Sequence, residues 1–266
     1  MDPHPVHLTE PDLKSAEVLF KLKNGATKVV RIGDKAIKYG IGVSQREADT
    51  MAFVRNHTSI PVPRVYDFYC DEKGHGYIVM DYVEGQNLEN RWKHLDGPSK
   101  AKIAEQLRRY MEEMRSIPPP SPIYIGGVNH TQADDMRNGH ALGGPFASET
   151  DFNHWLISRL LPHIRGRTLV MPYLEEQLAA QTAQKRHAIV FTHADFHPRN
   201  IMVKGDKVVG WLDWEVAGWF PSHWEFIKAM QPLAKTDWLD YLVVILEEYE
   251  DEYILDSVLG MYLQRF

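Results

Sequence analysis

The chain has 266 residues, 44% of them apolar and 25% charged, with a net charge of −6. That length buries a substantial core without staples, and the acidic balance with scattered Lys and Arg excludes the basic face of a nucleic-acid binder. The single cysteine, Cys70, excludes an internal disulfide and a cysteine zinc site. No apolar run reaches the roughly 18 residues of a membrane span, and the first ten residues lack a basic stretch followed by an apolar one. A cytoplasmic protein without nucleic-acid or membrane partners is expected.

In chain order, the first third reads as strands with one helix. Glu17 to Leu22 and Thr27 to Ile32 are rich in β-formers, and Asn24-Gly25 between them is a hairpin turn signal. A third strand is expected at Ala36 to Tyr39. Ser44-Gln45-Arg46-Glu47 then has the form of a capping box and opens a helix to about Arg55. Pro61 and Pro63 hold an extended connection, and Val65 to Tyr69 and Tyr77 to Met80 are two further strands. After Gly85 the period becomes helical, at Leu88 to Leu95 and at Lys100 to Ile117, with Ile103, Leu107, Tyr110, Met111 and Met114 on one face. A long irregular stretch rich in Gly, Asn and His runs to about Ser148; loops of that length are commonly functional. Helices are expected at Glu149 to Leu161 and Pro172 to His187. A short strand at Ala188 to Thr192 and a hairpin of Ile201 to Val203 with Val208 to Leu212 follow. The remainder, from Ser222, is mostly helical. The reading is an α+β chain of two lobes: residues 1–83, β-rich, and residues 87–266, mainly helical, joined by a hinge at about 81–86. A cleft between two lobes is a common nucleotide site.

The chemistry concentrates in His193-Ala194-Asp195-Phe196-His197-Pro198-Arg199-Asn200. A strand delivers the chain to Asp195, and Asn200 stands just before the next strand. The hairpin returns the chain so that Asp213, in Leu212-Asp213-Trp214-Glu215, comes back beside Asn200. Asn200 and Asp213 offer the hard oxygen ligands that suit Mg²⁺, which leaves Asp195 to accept a proton from an attacking hydroxyl. That is the division of labour in phosphoryl transfer.

These two runs resemble the aminoglycoside phosphotransferase and choline kinase-like family, and more narrowly its fungal-type members. The similarity extends to Lys38, to Ser59-Ile60-Pro61-Val62-Pro63, to Val79 through Gly85, and to Gly144-Pro145-Phe146. It implies a protein-kinase-like fold, ATP and Mg²⁺ as cofactors, and a small-molecule hydroxyl as acceptor, with oligomeric state left open. It also implies that Asp195 is the catalytic base and that Asn200 and Asp213 bind the metal. Lys38 stands where the family places the lysine on the α- and β-phosphates, and Glu47 where its ion-pair partner lies. Each has a plainer reading, Lys38 as a solvated strand lysine and Glu47 as the capping acid for Ser44. Met80, Asp81 and Val83 resemble the adenine-binding hinge, or else an edge strand before a turn. Asn24, in Lys23-Asn24-Gly25-Ala26, stands where a phosphate-covering loop would be, or in a plain hairpin.

Within the catalytic run, His193 is expected to support the loop, and Arg199 to place fixed positive charge near a transferring phosphate or to be solvated. Glu215 assists the metal, orients substrate or does neither. The acidic run Glu247 to Glu252 reads first as a solvated helix face and otherwise as an attractor for a cationic substrate. Trp211, Trp214, Trp219, Trp224 and Trp238 are expected to pack the larger lobe. Ala194 in place of an arginine, Trp214-Glu215 in place of Phe-Gly, and the lack of an Ala-Pro-Glu segment separate the chain from ordinary protein kinases. An atypical protein kinase and a nucleotide-binding pseudokinase scaffold are the alternatives.

Overall fold

The computed structural model describes residues 10–22, 25–136, 140–160, 167–184, 187–230 and 237–263. A short helix α1 (Glu10–Ser15) leads into five strands, β1 (Glu17–Lys21), β2 (Thr27–Ile32), β3 (Lys35–Gly40), β4 (Val65–Cys70) and β5 (Gly76–Asp81). They form one antiparallel sheet in the order β1-β2-β3-β5-β4. Strand alternation sends successive side chains to opposite faces. Val30, Ile37 and Val79 face one side, covered in part by Leu13, Tyr69 and Tyr77. Ala36, Ile78 and Met80 face the other and join the main core. Lys38, two residues from Ala36, therefore points toward the core side, and it is 8% exposed. The turn out of β3 needs a glycine: Gly40 has φ 147°, and a Cβ there would lie 1.9 Å from the carbonyl oxygen of Ala26.

Helix α2 (Gln45–His57) follows β3 and buries Ala48, Met51 and Val54 against the sheet. The expected capping box does not form. Ser44 sits at the N-cap with extended backbone but its hydroxyl makes no capping bond. Glu47 turns inward instead, because a buried ammonium is a far stronger partner for a carboxylate than a helix-end amide.

Beyond Asp81 the chain forms β6 (Gln86–Asn87), α3 (Leu88–Trp92) and α4 (Gly97–Arg115). In α4 the Asp96 carboxylate caps the Ser99 amide at 2.8 Å, and Ile103, Ala104, Leu107, Met111 and Met114 are buried. The irregular stretch carries a small hairpin, β7 (Ala133–Asp135) and β8 (Ala141–Gly143). It is pinned by paired backbone bonds between Gly126 and Trp219 and between Ile125 and Phe146. Helices α5 (Glu149–Leu160) and α6 (Arg167–Gln184) follow. Helix α6 starts earlier than the sequence suggested, with Pro172 inside it.

The His193–Asn200 run lies between β9 (Ile189–Thr192) and the hairpin of β10 (Ile201–Lys204) and β11 (Lys207–Trp211), with β6 added to the β10 edge. A strand that sequence reading passed over, β12 (Gly218–Pro221), pairs antiparallel with β9. Helices α7 (Trp224–Ala229), α8 (Trp238–Ile245) and α9 (Glu250–Leu263) complete the chain. The five tryptophans expected to pack the helical part are all buried, at 4% exposure or less. The acidic run divides: Tyr249 and Glu252 are buried, while Glu247, Glu248, Glu250 and Asp251 are exposed. Among the described residues no helix is long and apolar enough to cross a membrane.

Candidate active site

Strand β9 ends at Thr192, and the next two amides meet a buried carboxylate. Glu225, in the first turn of α7, accepts from the His193 amide at 2.6 Å and from the Ala194 amide at 3.1 Å. Ala194 adopts a left-handed backbone, φ 64°, a conformation that costs an alanine about 1 kcal/mol or more. The two bonds from Glu225 hold it there. Burial pushes the Glu225 carboxyl up to about 7, against the pull of the two amides and of Arg115.

His193 is fully buried. Its Nε2 lies 3.0 Å from the Leu212 carbonyl and its Nδ1 accepts from the Asp195 amide at 3.2 Å. The carbonyl can only accept, so Nε2 carries the proton and Nδ1 the lone pair. Burial lowers the imidazole's pKa. Both ring nitrogens are thus spent on backbone, tying the Asp195 turn to the end of the β10–β11 hairpin.

Asp195 is held at both carboxylate oxygens. Arg199 donates to Oδ1 at 2.5 Å, and Asn200 Nδ2 donates to Oδ2 at 2.7 Å and to the Asp195 carbonyl at 2.9 Å. A 3-10 turn over Pro198–Asn200 sets that spacing, with the His197 ring accepting from the Arg199 amide at 3.1 Å. Burial, then the Arg199 charge, pushes the His197 imidazole down to about 4. The Leu212 amide donates to the Asn200 carbonyl at 2.8 Å, which sets Asp213 one residue beyond the partner of Asn200.

Asp213 also has a left-handed backbone, φ 68°, which turns its carboxylate toward the sheet. Lys38 meets it there. The Lys38 ammonium donates to Glu47 at 2.8 Å, to Asp213 at 2.8 Å and to Glu215 at 3.1 Å. One ammonium against three carboxylates leaves two negative charges in this cluster. Burial raises the Glu47 carboxyl to about 7, with Lys38 pulling the other way. Burial also raises Asp213, but Lys38 overrides it and holds that carboxyl below its ordinary value. Glu215 is raised by burial and by Asp213. Lys38 itself stays protonated: burial opposes its charge, and the three carboxylates more than compensate.

The predicted residues therefore fall into two linked groups, Lys38 with Glu47 and Asp213, and Asp195 with His193, Arg199 and Asn200. Met80 and Asp81 end β5, where the Asp81 carboxylate accepts from the Arg64 amide at 3.0 Å and the Tyr66 hydroxyl at 2.7 Å. Val83 lies over the β11 backbone, where a Cβ on Gly210 would come within 2.8 Å of it. Asn24 lies outside the described residues.

Sequence reading missed Glu225, whose partners are backbone amides some 30 positions earlier. A carboxylate that serves backbone leaves no motif. It also missed a polar set that links the irregular stretch to α2 and to Glu215: Arg46 of α2 lies 3.8 Å from Asp134, and His140 lies 3.4 Å from Asp134 and 3.8 Å from Glu215. The side chain of Arg46 is only 13% exposed, and among the described residues its Nε and one terminal nitrogen have no hydrogen-bond partner.

Residues 12–257 match the phosphotransferase enzyme family, APH. The chain belongs to that family. Two subtelomeric hrmA-associated cluster proteins of Aspergillus fumigatus are related, at 26% identity over 123 residues and 31% over 80 residues, or 45% and 29% of this chain. The chain's matches span only 24% and 16% of the length of those relatives. Among solved structures, ADP-bound aminoglycoside phosphotransferase APH(2″)-Ib superposes with a TM-score of 0.63 at 12% identity, over 96% of this chain and 82% of that one. The gentamicin–APH(2″)-IIa complex gives 0.62 at 12% identity, over 97% and 87%. A ternary complex of an APH(4)-Ia mutant with ADP and hygromycin B gives 0.57 at 12% identity, over 80% and 70%. At such identities these likenesses establish the fold: the aminoglycoside phosphotransferase version of the protein-kinase-like architecture, with an antiparallel sheet and a helical part.

Proposed function

We propose that the chain transfers the γ-phosphate of Mg²⁺–ATP to a hydroxyl of a small molecule. The observation that carries this reading is the convergence of Lys38, Glu47, Asp213 and Glu215 beside the Asp195–Asn200 turn. It is supported by family membership and by the ADP and aminoglycosides held by proteins of the same fold.

The nucleotide lies between the 1–83 lobe and the 87–266 lobe, its adenine against the 81–86 segment at Met80, the Asp81 carbonyl and the Val83 amide. Lys38, oriented by Glu47, engages the α- and β-phosphates. Asp213 and Asn200 hold Mg²⁺, with Glu215 in reach. The donor set fits that ion: its oxygens are hard, and the cluster's two surplus negative charges are what a dication neutralises. Bound there, Mg²⁺ supplies charge stabilisation for the phosphates. Asp195 takes the proton of the acceptor hydroxyl as the oxygen attacks the γ-phosphorus. A new P–O bond forms, the bond from the γ-phosphorus to the β,γ-bridging oxygen breaks, and ADP leaves. Before this, Arg199 and Asn200 fix the Asp195 carboxylate, and Arg199 then stands beside the transferring group as fixed positive charge. Confinement of the acceptor at this carboxylate supplies the remaining advantage, by orientation.

The first measurement is thermal stabilisation by Mg²⁺–ATP, followed by a screen of amino alcohols, sugars and aminoglycosides for ADP release and phosphorylated product. Protein stabilised by nucleotide that phosphorylates none of these, and instead labels proteins in an extract, would replace this reading with a protein kinase.

A further inference from the structure

We infer that the helical part holds a zinc site, built by Glu149, His187 and His223 and separate from the nucleotide chemistry. Glu149 opens α5, His187 precedes β9, His223 is the N-cap of α7, and Glu252 lies on α9. These four residues are far apart in sequence, and the fold brings them together. Their side chains are 10%, 1%, 8% and 3% exposed. Glu149 Oε1 lies 2.7 Å from His187 Nδ1 and 4.0 Å from His223 Nδ1. One ligand atom from each of Glu149, His187 and His223 falls within 4.8 Å of the others. Around a tetrahedral zinc with bonds of about 2.05 Å, ligand atoms stand roughly 3.3 Å apart. The 2.7 Å separation then opens, and the 4.0 Å separation closes, by well under an ångström.

The outer contact has the form a metal-bound histidine needs. Glu252 lies 2.9 Å from His187 Nε2. A carboxylate there keeps the proton on Nε2 and the lone pair on Nδ1, which raises the ligand's basicity and fixes the ring. Two imidazole nitrogens and one carboxylate suit Zn²⁺ and disfavour Mg²⁺, so the site and the Asp213 cluster select different ions.

The site would brace the catalytic turn. His223 stands two residues before Glu225, which bonds the His193 and Ala194 amides, and His187 leads into the strand that delivers them.

The test uses full-length protein without a histidine tag, stripped with a chelator, then titrated with Zn²⁺ against a chromophoric competitor and with Co²⁺ followed in the visible. The expected result is one Zn²⁺ per chain at micromolar affinity or tighter, with the visible bands of tetrahedral Co²⁺. His223→Ala should abolish binding, Glu252→Gln should weaken it 10- to 100-fold, and Asp213→Ala should leave it unchanged. Wild-type protein that takes up no Zn²⁺ overturns the inference without any variant having to fold, and leaves His187 as an imidazolium between two glutamates. Binding that persists in His223→Ala or vanishes in Asp213→Ala, or an octahedral Co²⁺ spectrum, also overturns it.

Discussion

Replacing Lys38 by methionine keeps the aliphatic stem and removes the ammonium that three carboxylates share. The loss is unequal among the three. The side chains of Asp213 and Glu215 are 35% and 25% exposed, so water replaces much of what they lose. Glu47, at 3%, has no such recourse, and with its carboxyl already raised to about 7 beside Lys38 it must bind a proton or stay uncompensated once the ammonium is gone. Breaking a buried ion pair from one side typically costs about 3–5 kcal/mol, because the remaining charge is uncompensated. At roughly 2–4 °C per kcal/mol for a chain of this size, K38M should melt about 6–20 °C below wild type. The assay is urea unfolding at pH 7.5 with a chelator present, run for wild type, K38M, E47Q and the double variant. The double variant should recover much of the loss, with a coupling energy above about 0.5 kcal/mol, the level at which contacting residues depart from additivity. Mg²⁺ should stabilise K38M more than wild type, since Asp213 and Glu215 lose the ammonium that bonds both of them in the wild type. A K38M stability within about 1 kcal/mol of wild type, well below the range for a stranded buried charge, would refute this account. Additive effects of K38M and E47Q would refute it as well.

Asp195→Ala should lower turnover by on the order of 10² or more, as loss of a positioned base does, while nucleotide binding, followed by thermal shift, is retained. Asp213→Ala should abolish Mg²⁺-dependent stabilisation by ATP, and unchanged stabilisation would remove Asp213 from the metal's ligands. Glu225 has a pH signature. Its carboxyl is raised from 4.5 to about 7, chiefly by burial. Between those values the folded chain holds a proton that the unfolded chain has released, so this group's contribution to stability falls as pH rises through the window. Chemical unfolding from pH 4.5 to 8 should show that slope in wild type and its reduction in E225Q; parallel profiles would count against the buried ionisation.

The architecture was legible where the chain obeys a local period. β2 was read to the residue, because Thr27 to Ile32 is rich in β-formers and lies between turn residues. The closeness of Asp195, Asn200 and Asp213 was legible because their spacing is fixed by one 3-10 turn and one hairpin. The capping box was misread. Ser44 and Glu47 have the right spacing, but the carboxylate chose the ammonium of Lys38. β12 escaped notice because Gly-Trp-Phe-Pro reads as a turn, and only pairing with β9 extends it.

The sequence alone determined eight of the twelve described strands, the main helices and the residues that carry charge to the Asp195 turn, since period, turn chemistry and short-range spacing are properties of neighbours along the chain. Tertiary structure decided which charges meet. It set Glu47, Asp213 and Glu215 around one lysine, placed Glu225 under the amides of His193 and Ala194, and gathered Glu149, His187, His223 and Glu252 into one buried cluster. Those pairings join residues separated by up to 177 positions. They follow from the need of every buried charge for an opposite charge or a hydrogen bond, a need that fixes the kind of partner and leaves its place in the sequence open.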